Sequence, residues 1–300
     1  MRSTADAVIA VVVAGCAVLA WLLLGPWLRW RRRQAVARSG LPAPALAALE
    51  RHVPFRARLP DELQRRFDGL VAAFVAEKHY VGCNGLAVTD EMKTAIAGHA
   101  CSLLVGRPRE LYESLRSVLV YPTPFWVDEE VHDDDGLVTH RRHVLSGQAW
   151  DSSRIILSWE DILETTAHPG TGYNVVVHEC AHYFDAESAP VAAPVHPADT
   201  ASGRRTDATL RGRAAAGWRE ALDQQFERLA SAVDDGEETF LDPYAAEDAA
   251  EFFAVASEEF VERPGPLRVA EPALYALLRT YYGTDPASWP VTGSTEDPVA

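Results

Sequence analysis

The chain has 300 residues, 48% of them hydrophobic and 24% charged, the balance of a globular protein with room for one large domain or two modest ones. Its formal net charge is −15; six Arg against one Asp give residues 1–40 a net +5, so the remainder stands at −20. An acidic body of that kind repels phosphate backbones and excludes nucleic acid as a partner.

Residues Ala7 to Leu28 form an uncharged run. About 22 residues of helix span roughly 33 Å, enough to cross a bilayer. Trp21, Trp27 and Trp30 lie toward its C-terminal end, where interfacial aromatics sit, and Arg29, Arg31, Arg32 and Arg33 follow. Residues 1–33 therefore read as one N-terminal transmembrane helix with a basic collar suited to anionic lipid head groups. The positive-inside rule puts the large domain in the cytoplasm, on a single-pass anchor in the plasma (inner) membrane. A cleaved signal peptide fits less well, because the basic cluster follows the apolar run with no small-residue cleavage site between them. Cys16, Cys83, Cys101 and Cys180 show no ligand spacing and read as free thiols of a reducing compartment.

Residues 34–59, rich in Ala, Pro and Arg, read as a linker with a short helix near Ala43–His52. Pro60 opens a helix to Lys78, with acids in its first turn and Leu63, Phe67, Leu70, Val71 and Phe74 at helical spacing. Thr89 is an N-cap for a second helix to about Leu104, whose His99 shares a face with Met92, Ala95 and Ile96 and reads as a core residue rather than a ligand. Short strands follow at Ser117–Tyr121, Phe125–Val127, Val138–Leu145 and Arg154–Ser158, with a hairpin turn at Asp133–Asp135. They predict a small mixed sheet set among helices.

The stretch from Asn174 to Asp185, NVVVHECAHYFD, carries H-E-x-x-H as His178, Glu179 and His182. On a helix, positions four apart share a face, so both imidazoles can grip one Zn2+. Glu179 is then placed to take a proton from a water that the zinc activates. Val175, Val176, Val177, Cys180, Ala181 and Phe184 make the helix apolar around much of its circumference, hence buried, and burial overrides the mild helix aversion of three consecutive valines. A catalytic zinc needs a third protein ligand. Asp185 and Ser188 stand where the metzincin pattern needs Gly and His, so that ligand comes from a distant element.

Residues 188–206 read as a Pro- and Ala-rich surface loop, and its His196 as a solvated residue. Leu210 to about Val233 predicts an amphipathic helix striped by Trp218, Leu222, Phe226 and Leu229. A further helix, Ala245 to about Val261, carries Glu247, Glu251 and Glu258 near one face. Glu251, between Ala249-Ala250 and Phe252-Phe253, is the best placed of the three to be buried. Pro264-Gly265-Pro266 begins the C-terminal stretch, in which about Pro272 to Tyr282 reads as a last helix and residues 286–300 as a disordered tail.

NVVVHECAHYFD followed by DPYAAEDAAEFFAVASEEF resembles the Mlc titration factor A family of zinc peptidases. The segments GCNGLAVTDEMKTAIAGHACSLLVG, VLVYPTPFWV and GQAWDSSRIILSWEDIL resemble family segments in the same order, and the likeness covers roughly residues 60–285. It implies a zincin-type domain of the lethal-factor kind, with Glu251 as third zinc ligand beside His178 and His182. Glu258 is the alternative, or an acceptor for a histidine N–H. It implies Glu179 as general base and Tyr244 as oxyanion donor.

The reading is thus an α+β, mostly helical zinc metallopeptidase domain over residues 60–285, one Zn2+ per chain, acting on a peptide or protein substrate and tethered to a membrane through residues 7–28. The competing reading is a membrane-anchored protein that captures a transcriptional regulator, the zinc being mainly structural, since family members are associated with a repressor of glucose uptake.

Overall fold

The computed structural model describes residues 31–107, 112–124, 126–132, 138–144, 153–187 and 208–289, with isolated positions before residue 31. The expected membrane span Ala7 to Leu28, the turn at Asp133–Asp135, the loop 188–206 with its His196, and the tail from residue 290 lie wholly or largely outside them. Among the described residues no helix is long and apolar enough to cross a membrane.

Helix α1 is Ala43–His52, α2 is Asp61–Glu77 and α3 is Asp90–Ser102. As the sequence predicts, Thr89 caps α3, its hydroxyl accepting from the Met92 N–H at 3.2 Å. Strands β1 (His79–Gly82), β2 (Ser117–Tyr121) and β5 (Arg154–Ser158) form a three-stranded sheet in the order β1-β2-β5, parallel throughout. Among the described strands, β3 (Trp126–His132) and β4 (Val138–Val144) pair only with each other, antiparallel. The expected mixed sheet is therefore two separate units: a parallel sheet and a ribbon inserted between β2 and β5. Parallel neighbours need long crossovers. Helix α3 supplies one, between β1 and β2, and the ribbon occupies the other. Val118 and Val120 of the central strand are fully buried.

After β5 come α4 (Trp159–Ala167), capped by the Ser158 hydroxyl, and α5 (Val175–Glu187). Helix α6 is Ala208–Asp234, α7 is Ala249–Glu262, α8 is Pro264–Ala270 and α9 is Pro272–Tyr282. The single helix expected from Ala245 is split. Pro243–Ala246 makes a 3-10 turn, and Asp248 then starts α7 by accepting from the Ala250 and Glu251 N–H groups at 2.8 and 2.9 Å. Pro264-Gly265-Pro266, read as the start of the tail, opens α8, because a proline in the first turn needs no N–H partner.

Helices α5 and α7 pack against each other, and α5 also against β5, with Val176, Val177, Cys180, Ala181, Phe252, Ala254 and Ala256 all buried. The stretch 34–59, expected as a linker, carries core residues: Leu49, Val53, Phe55 and Leu59 are at most 6% exposed. Residues 31–39 are helical. Arg33, expected in the lipid-facing collar, turns to the domain instead. Its guanidinium meets the Glu77 carboxylate at 2.6 and 2.8 Å and Glu113 at 2.5 Å. Cys83, Cys101 and Cys180 are free thiols.

Candidate metal centre

Asn174 begins the site. Its side-chain oxygen accepts from the Val177 N–H at 3.1 Å and caps α5. Burial of the three valines, each at most 2% exposed, fixes which way the helix faces. His178 and His182 then project one turn apart, with Nε2 atoms 3.0 Å from each other and rings 4.7 Å between centroids. From α7, Glu251 brings one carboxylate oxygen to 3.1 Å from His178 Nε2 and the other to 3.4 Å from His182 Nε2. One ligand atom from each of the three residues lies within 4.8 Å of the others.

Glu258, two turns along α7 from Glu251, stands behind His178. Its Oε1 is 2.7 Å from His178 Nδ1, which it fixes as a protonated nitrogen, so that Nε2 is the one turned to the cluster. The other Glu258 oxygen accepts from the Asn174 backbone N–H at 2.5 Å. The Asn174 amide in turn donates to His99 Nδ1 at 2.9 Å and Glu262 Oε1 at 2.7 Å. His99 is buried, as the sequence predicts, and burial pushes its pKa down to about 4, so it is a neutral member of this network.

The carboxylates around His178 favour positive charge at this place. Burial alone would lower the His178 pKa, but Glu251 and Glu258 outweigh it and raise it to about 10. Burial works against ionisation of Glu251, yet the two imidazoles hold it below the usual carboxylate range. Glu251 Oε2, although 3.1 Å from His178 Nε2, makes no aligned hydrogen bond. Two imidazole nitrogens and a carboxylate converge here, and this N, N, O donor set fits a zinc ion.

Glu179 is 3% exposed, and its Oε1 has no hydrogen-bond partner. Burial lifts its pKa well above the carboxylate range, with the charge on His178 opposing. Tyr244 sits on the 3-10 turn before α7, its N–H bonded to the Asp242 carboxylate at 2.9 Å and its ring centroid 6.4 Å from that of His178. It is exposed, yet partial desolvation and the nearby Glu251 carboxylate raise its phenol, which stays protonated. The sequence-predicted His178, His182, Glu251, Glu179 and Tyr244 are thus gathered at one place, with Glu258 bonded to a histidine rather than joining the ligand cluster. Asn174 carries no predicted role, although an Asn before an apolar run is an N-cap signal. Its bonds to Glu258, His99 and Glu262 had no local sequence signal.

In this α+β fold an H-E-x-x-H helix is set against a glutamate from a second helix. A family model described as "Glucose-regulated metallo-peptidase M90" matches residues 27–283, and the chain belongs to that family. Mlc titration factor A of Cronobacter sakazakii is 35% identical over 260 residues, covering 86% of this chain and 91% of that protein. The protein of the same name from Klebsiella pneumoniae is 35% identical over 236 residues, covering 78% and 84%. An uncharacterized protein of Synechocystis is 32% identical over 262 residues, covering 87% and 90%.

Proposed function

We propose that the protein is a zinc-dependent peptidase, with His178, His182 and Glu251 as the metal ligands. The observation that carries this reading is the convergence of those three side chains beside a buried carboxylate with an unpartnered oxygen, Glu179. A purely structural metal site has no use for such a carboxylate. Zinc supplies Lewis acidity there, polarising a carbonyl and making a water acidic near neutral pH. Glu179 accepts the proton of the attacking water and returns it to the leaving amine. Its burial raises its proton affinity, which suits a group that must hold the proton between the two transfers. Tyr244 donates its hydroxyl proton as a hydrogen bond to the substrate oxygen while charge builds on it. Glu258 keeps His178 in one tautomer and orientation. Among the described strands β5 pairs with β2 alone, so its other edge is the one an extended peptide backbone would join.

A second reading is favoured by the relatives' name, Mlc titration factor A: a protein that sequesters a transcriptional regulator, with the metal centre as a structural element. Anchoring through residues 7–28, with the folded domain on the cytoplasmic face, belongs to both readings and rests on the apolar run and the arginines after it. Zinc content together with hydrolysis of a broad peptide panel, with and without chelator, tests the first reading. Zinc-dependent cleavage supports it; stoichiometric zinc with no cleavage favours the second.

A further inference from the structure

Asn174 is fully buried, so each of its polar atoms must find a partner inside the protein. Its side-chain oxygen accepts from the Val177 N–H, and its amide nitrogen donates to Glu262 Oε1 and to His99 Nδ1. Turned over, the amide would set its nitrogen against the Val177 N–H and its oxygen against the Glu262 carboxylate. One orientation alone satisfies it. The backbone N–H of the same residue is held by Glu258, whose other oxygen holds His178. A displacement of Asn174 therefore reaches both the start of α5 and the carboxylate behind its first histidine.

His99 can serve that amide only by offering a lone pair. The ring is 3% exposed. Burial pushes its pKa down to about 4, outweighing a contact with the His52 backbone that favours its proton, so the ring is neutral at pH 7. With a donor facing Nδ1, its one proton belongs on Nε2. The helix that carries it has no slack. A Cβ at the neighbouring Gly98 would fall 2.6 Å from Val53 Cγ2 and 2.8 Å from Leu49 Cδ2, so α3 lies directly on the side chains of α1 and of the residue that follows it.

We propose that His99 is a positioning residue of the metal centre: its Nδ1 fixes the Asn174 amide, and Asn174 in turn fixes Glu258 and the start of the helix that presents His178. The inference rests on the metal assignment above. Without the acceptor one buried amide hydrogen is unmatched, and Asn174 either moves or bears the cost of a lost hydrogen bond.

The test compares zinc affinity, by competition with a chromophoric chelator, in wild type, His99→Leu and His99→Asn, each checked for folding by circular dichroism. Leucine fills the space without a lone pair, whereas asparagine places an oxygen where Nδ1 stood. His99→Leu should bind zinc about 10-fold more weakly, and His99→Asn should restore most of that loss. A residue needed only for packing would change unfolding stability and leave the zinc affinity of the folded protein alone. Equal affinity in wild type and His99→Leu, or equal loss in both variants, would overturn the proposal. A measurement that needs no variant to fold is nitrogen-15 resonance of the zinc-free wild type at pH 7, where the His99 ring should show a bare Nδ1 and a protonated Nε2. A proton on Nδ1 would overturn the proposal as well. A wild type that binds no zinc removes the metal assignment and this inference together, while an unaltered His99→Leu in a zinc-binding protein removes this inference alone.

Discussion

Glu258 Oε1 lies 2.7 Å from Nδ1 of His178, and the other Glu258 oxygen holds the Asn174 N–H at the start of the same helix. One carboxylate on α7 therefore fixes both the ring and the helix that presents it. Glu258→Gln keeps the shape but removes the charge that favours an Nδ1 proton. Zinc affinity should fall by about 10- to 100-fold, measured by competition with a chromophoric chelator. Unchanged affinity would show that His178 is held by something else.

Glu251 is assigned as a ligand, and its removal should be more severe. Glu251→Ala should lose stoichiometric zinc under conditions where Glu258→Gln retains it on metal loading. Metal analysis after dialysis separates the two. The opposite ranking would exchange their roles.

Zinc must displace a proton. In the metal-free protein His178 is raised to about 10 from the ordinary 6.5, so at pH 7 it is protonated, and zinc binding should release about one proton per ion. Calorimetry in two buffers of different ionisation enthalpy counts it. Affinity should rise with pH through this window. The metal-free fold should behave oppositely. A histidine pKa raised on folding adds stability that is fully present below about 6.5 and is lost as pH climbs toward 10. Zinc binding without proton release would contradict this account.

Leu49 is fully buried although it lies in the stretch expected as a linker. Leu49→Ala should cost roughly 2–5 kcal/mol of stability, read from urea denaturation. A chain beginning at Pro60 should fail to fold, since it lacks Leu49, Val53, Phe55 and Leu59. Folding of that shortened chain would return the segment to linker status.

The H-E-x-x-H helix was legible because its information is local: spacing puts two histidines on one face, and apolar flanks bury them. The pairing of α5 with α7 is not local. Glu251 and Glu258 could be narrowed by burial of their flanks and by family likeness, but the Asn174 network joins residues 75, 84 and 88 positions apart, which no window displays. Strand β1, only His79–Gly82, is too short to show a period. The segment before Pro60 spaces its apolar residues among Ala, Pro and Arg, so its composition resembles a linker although each apolar side chain finds the core. Tyr244 was reached only through family likeness, while the break at Asp248 that puts it on a separate turn was hidden in a continuous helical pattern.

The central claim is that Glu179 is a base and the zinc a catalyst. Glu179→Gln preserves size and removes the carboxylate, so zinc content should stay near one per chain and the fold unchanged. Hydrolysis of a peptide that the wild type cleaves should fall by about 100-fold or more, measured in parallel with metal analysis on the same sample. A Glu179→Gln protein that holds its zinc and cleaves peptides at the wild-type rate would contradict the account.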